Sequence, residues 1–230
     1  MNRPEFAAYK RVFVESTRRI LSEERSEVLD EAAFPAYANR NPLTSFLFWQ
    51  RLRTVITHLN GRSEYQKVMD FGCGSGVMLP FLSRVSKQVV GLDLDLSPLR
   101  KMKSHVPLPG NVCTYELNQK KLREFRPGSF DVILALDVLE HVDNLSEILS
   151  DMCNLLAPEG QIIVSGPTEN LAYRMGRKLS GPEYSGHYHV RNIYDIKEQL
   201  TKFLRVSTIA TLFYPLPLFK VYCGERNEAS

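Results

Sequence analysis

Long apolar runs, paired cysteines and a large excess of one charge are all missing from this sequence of 230 residues. No stretch approaches the ~20 consecutive apolar residues that a membrane-spanning helix needs, so we expect no transmembrane segment. Residues 1–5 lead into a charged helical pattern that has neither the apolar core nor the cleavage site of a secretory signal. These features predict a cytoplasmic location.

The four cysteines are dispersed along the chain, and no two of them form a Cys-x-x-Cys pair. Such spacing indicates reduced thiols rather than a disulfide framework or a zinc site. The cysteines are Cys73, Cys113, Cys153 and Cys223.

Charge is nearly balanced, with 29 basic and 26 acidic residues and a formal net charge of +3. This balance does not favour a nucleic acid or an anionic membrane surface as a partner. The length indicates one domain, or one domain with an appended segment, and the sequence does not indicate an oligomeric state.

The first 63 residues have a helical pattern. Apolar residues recur at steps of three and four in two stripes, one from Phe6 to Phe13 and one from Phe46 to Leu59. The stretch between them contains Pro35 and Pro42, which disfavours helix, so we expect a connecting loop there. We therefore predict that residues 1–63 form an N-terminal helical lid and that residues 64–230 form the main domain.

From about Gln66 onward, short β-branched and apolar runs alternate with helical stretches. The early runs are apolar throughout, as are the strands of a parallel sheet that is covered on both faces. The alternation predicts an α/β fold with a doubly wound sheet, in which ligands bind beyond the carboxyl ends of the strands. The predicted strands are Lys67–Phe71, Gln88–Leu92, Val112–Leu117, Phe130–Leu136, Gln161–Ser165, Val206–Leu212 and Leu218–Cys223, with a helix over Ile193–Phe203.

A glycine-rich segment follows the first predicted strand: Asp70-Phe71-Gly72-Cys73-Gly74-Ser75-Gly76. Glycines at alternate positions permit a tight strand-to-helix turn and the close approach of a ligand to the backbone. The dinucleotide-binding pattern G-x-G-x-x-G would place its third glycine where Val77 stands. A nicotinamide-dependent oxidoreductase is therefore an alternative that this spacing disfavours, and a glycine turn without a ligand is the simpler one.

With Asp70 in front, the segment resembles the D-x-G-x-G-x-G loop of class I S-adenosylmethionine (SAM) methyltransferases, and the resemblance extends to about Pro167. It implies a Rossmann-like, seven-stranded, mostly parallel sheet whose last strand is antiparallel. It also implies SAM as the cofactor, bound in part by residues of this loop. Those residues are Asp70, Gly72, Cys73, Gly74 and Gly76.

The tips of the next two strands offer further groups for SAM. A carboxylate at the end of the second strand can bind both ribose hydroxyls, and the family pattern G-x-D implies Asp93, followed by Leu94. Asp95 is an alternative, although it can instead cap the next helix. After the third strand, the resemblance implies Asn118 or Gln119 as the partner of the adenine amino group.

The fourth strand and the residues after it, 129–142, resemble the F-D-V-V-x-x-x-E-V-x-E-H-V segment of small-molecule methyltransferases, including the ubiquinone- and menaquinone-pathway enzymes. The resemblance implies that the backbone at Leu136 lines the SAM site and that Asp137 lies beside the transferred methyl group. Because an imidazole titrates near neutral pH, His141, His187 and His189 are the candidates for a general base.

A metal site is a weaker alternative. Asp137, Glu140 and His141 reproduce the acid-x-x-Glu-His spacing that binds a divalent ion in some relatives, among them ubiquinone-pathway O-methyltransferases and small-RNA 2′-O-methyltransferases. Two carboxylates and one imidazole would suit magnesium or manganese. Many family members carry Glu-His here without a metal, so a divalent metal is possible but is not our expectation.

The segment Asn41-Pro42-Leu43-Thr44 resembles the N-P-L-R segment of ubiquinone-pathway enzymes, whose arginine contacts the SAM carboxylate. Thr44 replaces that arginine, and Arg40 or Arg51 is a candidate substitute. Aromatic residues nearby favour a partly apolar acceptor.

We therefore expect a SAM-dependent methyltransferase that acts on a small molecule. A SAM-binding protein without catalysis and a nucleic-acid methyltransferase are the remaining alternatives.

Overall fold

The computed structural model describes residues 3–24, 26, 28–29, 34–39, 41–61, 64–118, 121–168, 191–213, 215 and 217–226. The helices are α1 (Arg3–Glu23), α2 (Phe34–Tyr37), α3 (Pro42–Leu59), α4 (Leu79–Val85), α5 (Ser97–Lys103), α6 (Lys121–Glu124), α7 (Leu145–Leu155) and α8 (Ile193–Thr201). A single 3₁₀ turn is assigned at Leu139–His141. The strands are β1 (Tyr65–Phe71), β2 (Ser86–Asp93), β3 (Val112–Glu116), β4 (Phe130–Leu136), β5 (Leu156–Pro167), β6 (Arg205–Leu212) and β7 (Phe219–Glu225).

The seven strands form one sheet in the order β3-β2-β1-β4-β5-β7-β6. The first five pair in parallel, and β7 runs antiparallel to both of its neighbours. This arrangement confirms the predicted doubly wound α/β fold with its antiparallel last strand. Strand order reverses between β1 and β4, whose carboxyl ends lie side by side because Phe71 pairs with Ala135.

Each face of the sheet is covered by its own hydrophobic cluster. Successive residues of β1 point to opposite faces, so Val68 belongs to one cluster and Met69 to the other. The cluster around Met69 is completed by apolar residues of α7 and α8, such as Leu149 and Ile196. Coverage on both faces explains why the middle of each central strand is an unbroken apolar run, such as residues 132–136 of β4.

The N-terminal helices share a core with the sheet. Phe13 of α1 and Trp49 of α3 are buried in the same cluster as Val68 and Leu134 of the central strands. The Phe13 and Trp49 rings meet edge to face, with centroids 5.8 Å apart. The helical pattern predicted for α1 and α3 is confirmed, whereas the loop predicted between them contains the short helix α2. The action of these helices as a lid stays a prediction.

The strand bounds differ most from the prediction at β5. The sequence predicts Gln161–Ser165, whereas β5 begins at Leu156, which pairs with Phe130 before a register shift. Pro158 and Gly160 interrupt the apolar pattern in this part of β5, so the pattern does not predict a strand there. Over the described residues, no helix combines the length and apolar character needed to cross a bilayer.

Candidate functional site

The glycine segment folds back over the end of β2. Gly72, Gly74 and Gly76 have φ values of +75°, +50° and +78°, which residues with a side chain rarely adopt. The amides of Gly72 and Cys73 both donate to the carbonyl of Leu92, at 2.8 and 2.9 Å. The turn is thereby fixed at the edge of the sheet where parallel strands end.

Asp93 at the tip of β2 holds this turn through its side chain. Its Oδ2 accepts a hydrogen bond from the Gly74 amide at 2.6 Å. Burial raises the pKa of Asp93, and the hydrogen bond from Gly74 opposes that rise. Leu94 beside it is 77% exposed. A carboxylate next to an exposed apolar side chain fits a nucleoside, whose ribose is polar and whose base is largely apolar.

Asp70 lies in β1, two residues before Gly72 of the glycine turn, and is buried. Burial, followed in size by repulsion from Asp93, raises the pKa of Asp70 to about 7. Burial also raises the pKa of the neighbouring Cys73 thiol well above its usual value. Cys73 is therefore a protonated, unreactive thiol at neutral pH.

Two other polar residues of this edge act as helix caps. Asp95 accepts hydrogen bonds from the amide and hydroxyl of Ser97, at 2.7 and 2.9 Å, as the simpler interpretation predicts. Those bonds lower the pKa of Asp95. Asn118 accepts from the amide of Lys121 at 2.9 Å and so caps α6. A surface cavity of about 420 Å³, lined in part by Asn118, opens beside the end of β3.

Asp137 follows β4 in a left-handed conformation, with φ of +53°. Its amide donates to the Ser165 carbonyl at 2.9 Å, and its Oδ1 accepts from the Ser165 hydroxyl at 3.0 Å. Its Oδ2 pairs with the guanidinium of Arg51, a residue of α3 that is 2% exposed. Both carboxylate oxygens are thus engaged, and they tie α3 to the ends of β4 and β5.

The three residues of the metal alternative do not form a cluster of ligands. Asp137 is engaged as described, Glu140 is fully buried, and His141 is exposed. Across the described part of the chain, no three His, Cys, Asp or Glu side chains come together as metal ligands would. The arrangement of these side chains therefore does not support the metal alternative.

Of the candidate bases, His141 ends the 3₁₀ turn, and its amide donates to the Val138 carbonyl at 3.1 Å. The turn packs on the glycine segment, because a Cβ placed on Gly72 would lie 2.4 Å from Val138 Cγ2. Leu136, the last residue of β4, lies three residues before the start of the 3₁₀ turn. Arg40, Gln119, His187 and His189 lie outside the described residues, and the roles predicted for them stay predictions.

Sequence reasoning missed Ser165 and Arg191. Arg191 donates from Nη1 to the Val142 carbonyl at 2.5 Å and from Nη2 to the Asp143 carbonyl at 2.9 Å. Its partners are backbone groups, which leave no mark in the sequence. The sequence does indicate the helix start next to Arg191, because Asn192 and Asp195 have the spacing of a capping box at the start of α8.

Comparison with known proteins identifies the family. A family model described as a methyltransferase domain matches residues 20–203. The ubiquinone biosynthesis O-methyltransferase of Stutzerimonas stutzeri is 30% identical over 181 residues, which are 78% of this chain and 72% of that protein. The protein of the same name from Cupriavidus pinatubonensis is 33% identical over 138 residues, which are 59% of this chain and 55% of that protein. The chain thus spans little more than half the length of some of the curated relatives it matches.

Solved structures share the fold. The N-methyltransferase NodS of Bradyrhizobium japonicum WM9, in complex with S-adenosyl-L-homocysteine (SAH), matches with a TM-score of 0.63 at 15% identity, covering 88% of this chain and 97% of that one. The SAH-bound magnesium protoporphyrin IX methyltransferase of Synechocystis PCC 6803 matches with a TM-score of 0.58 at 20% identity, covering 81% and 88%. The matched domain, the sheet order and the glycine turn held by Asp93 together show that this chain belongs to the class I SAM-dependent methyltransferase family.

Proposed function

We propose that the protein transfers a methyl group from SAM to a hydroxyl oxygen of a small, partly apolar acceptor. The observation that carries the proposal is the Asp93 carboxylate, which fixes the glycine turn beside the exposed Leu94. The curated relatives named as O-methyltransferases support oxygen as the methylated atom. The family result also disfavours the oxidoreductase alternative.

The residues around the turn fit SAM. Asp93 would bind the ribose hydroxyls, the glycine-turn backbone and that of Leu136 would line the ligand, and Asn118 or Gln119 would contact the adenine. SAM supplies an activated, electrophilic methyl group when it is bound. The protein has to align the acceptor oxygen with that methyl group and exclude water. Such alignment contributes on the order of 7–11 kcal/mol to lowering the barrier.

His141 is the general base in this proposal. It lies on the turn after β4, next to the strand at which the sheet order reverses, and it is exposed. An exposed imidazole on this edge can take the proton of an acceptor hydroxyl and release it to water. A positioned base of this kind accelerates a reaction roughly 10²- to 10⁴-fold.

Aromatic side chains support a partly apolar acceptor. Phe46 of α3 is 53% exposed, and its ring contacts that of Phe213 edge to face, with centroids 6.2 Å apart. Phe213 directly follows β6, which runs parallel to β5, so the pair lies at the edge of the sheet that also carries Asp137 and His141. A substituted phenol would find an apolar surface there.

The test combines binding and transfer. Titration with SAH by calorimetry should show binding, and Asp93→Ala should weaken it by roughly 1–3 kcal/mol because the ribose hydroxyls lose their acceptor. Asp95→Ala, which removes a neighbouring carboxylate that caps a helix, is the matched control and should leave SAH affinity unchanged. Loss of affinity in Asp95→Ala alone would move the ribose contact to Asp95.

Transfer is tested with methyl-labelled SAM and two phenolic probes, 3,4-dihydroxybenzoate and 4-tert-butylcatechol. We expect labelled methyl ether from the apolar probe in preference to the charged one, and a lower rate in His141→Ala with SAH affinity retained. Binding of SAH without transfer to either probe, or to compounds of a cell extract, would indicate a SAM-binding protein without catalysis. Binding of a nicotinamide dinucleotide in place of SAH would contradict the proposal.

A further inference from the structure

One guanidinium holds two successive backbone carbonyls just after the turn that carries His141. Arg191 bonds Val142 and Asp143 with separate nitrogens of its planar fork. Two acceptors bonded by separate nitrogens suit a guanidinium, whereas an ammonium group would reach them as a single point charge. Hydrogen bonds from a charged donor are about twice as strong as bonds between neutral groups.

The backbone end of Arg191 is itself fixed. Asn192, the next residue, caps α8 by accepting from the amides of Tyr194 and Asp195, and the Asp195 side chain accepts from the Asn192 amide in return. Ile193 is fully buried and lies against Gly166 of β5, where an added Cβ would come within 3.3 Å of Ile193 Cδ1. Arg191 therefore extends from a well-anchored helix start.

The segment that Arg191 contacts, Val142 and Asp143, joins the turn to the start of α7. The Asn144 side chain makes no capping bond at the start of α7, and the 3₁₀ turn before it spans only three residues. A turn this short is held by few backbone bonds. The two bonds from Arg191 fix the exit of the turn, as Asp137 fixes its entry through Ser165 and Arg51.

We propose that Arg191 is a positioning residue that holds the turn carrying His141 in place for methyl transfer, acting through the carbonyls of Val142 and Asp143. This inference rests on the proposed function. The glycine turn contacts Val138 at the entry of this turn, which Asp137 fixes, whereas Arg191 acts on Val142 and Asp143 at its exit. Loss of Arg191 should therefore reduce the rate of transfer and leave the binding of SAM intact.

Arg226 provides a matched control. It also bonds two backbone carbonyls, those of Cys153 and Leu156, at 2.7 and 2.9 Å, but at the opposite end of α7. Arg191→Gln and Arg226→Gln each remove a guanidinium that bonds two backbone carbonyls, through two nitrogens in Arg191 and through Nη2 alone in Arg226. Arg191→Lys keeps the positive charge but replaces the planar guanidinium with a single ammonium group.

Three measurements are compared: hydrogen exchange of backbone amides, SAH affinity, and kcat and KM with 4-tert-butylcatechol as the acceptor. In Arg191→Gln we expect faster exchange in residues 138–145, unchanged SAH affinity, and a kcat lower by roughly 10- to 100-fold, the loss typical of a misplaced reacting group. Arg191→Lys should recover part of that loss. Arg226→Gln should speed exchange near residues 153–156 and keep the wild-type kcat.

Unchanged exchange in residues 138–145 of Arg191→Gln would overturn the inference. So would an equal fall of kcat in Arg226→Gln, which would indicate general destabilisation, or a raised acceptor KM with unchanged kcat, which would place Arg191 in acceptor binding. Failure of the proposed function is distinguishable, because the wild-type protein itself would then show no transfer. The exchange measurement would still decide whether Arg191 holds the turn.

Discussion

At the scale of single residues, the burial of the Asp70 carboxyl group makes stability depend on pH. Its pKa is raised to about 7 in the folded protein, first by burial and then by Asp93. In the unfolded chain it returns to about 3.9. Between these two values the folded state keeps a proton that the unfolded state has released. The stability of the fold must therefore fall as pH rises through this window.

The variant Asp70→Asn should flatten this dependence. The amide is nearly the same size and cannot ionise, so the variant should avoid a cost of up to about 4 kcal/mol that the wild type bears at pH 8. Melting temperatures measured from pH 5 to pH 8 without ligand should decline less in the variant. Asp95→Asn is the control, since its exposed carboxyl with a lowered pKa titrates below this range. An equal decline in Asp70→Asn and wild type would contradict the prediction.

Individual residues also mark the limit of sequence reasoning. The glycine segment and Asp93 could be placed together because the carboxyl ends of neighbouring parallel strands meet at one edge. The ion pair between Arg51 and Asp137 depends on how α3 crosses the sheet, and a tertiary contact of this kind leaves no local pattern. Arg191 was missed for the same reason, since its acceptors are backbone carbonyls distant in sequence.

At the scale of elements, the glycine turn and the turn after β4 pack closely on each other. A Cβ on Gly72 would lie 2.4 Å from Val138 Cγ2 and 2.7 Å from Val138 Cβ. Gly76 makes a similar approach to Leu99, with 2.3 Å to its Cδ1. The glycines thus serve the packing of one turn on the next as well as the backbone conformation.

Gly72→Ala should be destabilised by both backbone strain and steric overlap. Left-handed conformation costs an alanine about 1–2 kcal/mol, and displacement of Val138 adds to that cost. Gly128→Ala is the matched control, because Gly128 has φ of +68° but no atom within 4 Å of an added Cβ. Denaturant titrations should therefore show a greater loss for Gly72→Ala than for Gly128→Ala.

Adding Val138→Ala tests the steric part directly. The double variant should lose about 1 kcal/mol less than the sum of the two single variants, since part of the overlap is removed. Strict additivity would show that backbone strain alone makes the glycine necessary.

The elements themselves were predicted to differing degrees. Strand β4 has the predicted bounds, Phe130–Leu136, because it is apolar apart from Asp131 and follows a turn that contains Gly128. β5 was predicted too short, because a proline and a glycine occupy its first half without preventing its pairing with β4. Apolar patterning therefore identifies buried strand centres and loses strand ends where pairing is irregular.

At the scale of the whole molecule, α3 connects the two edges of the sheet. Near its middle Arg51 pairs with Asp137 at the carboxyl edge, and near its end His58 lies 3.0 Å from Gln161 at the start of the parallel part of β5. Gln161 is fully buried and also accepts a hydrogen bond from the Cys223 thiol at 3.1 Å. Polar side chains of α3 thus contact the sheet at two separate places, Asp137 and Gln161.

The N-terminal helices and the sheet should unfold together. Trp49 of α3, 2% exposed, is the one tryptophan of the chain, so its fluorescence reports on these helices. Far-UV circular dichroism reports on the whole fold. The two denaturant transitions should coincide, as in a cooperative two-state protein. A fluorescence midpoint at lower denaturant would show that the helices detach first, and Trp49→Phe would give the background signal.

The shared core also has a consequence for synthesis on the ribosome. Phe48 of α3 and Phe219 of β7 lie in edge-to-face contact, with ring centroids 5.7 Å apart. At a synthesis rate of about 5–20 residues per second, roughly 170 residues separate their emergence, so Phe48 waits about 9–34 s for this neighbour. During that interval this part of α3 is open to other nascent chains and to molecular chaperones.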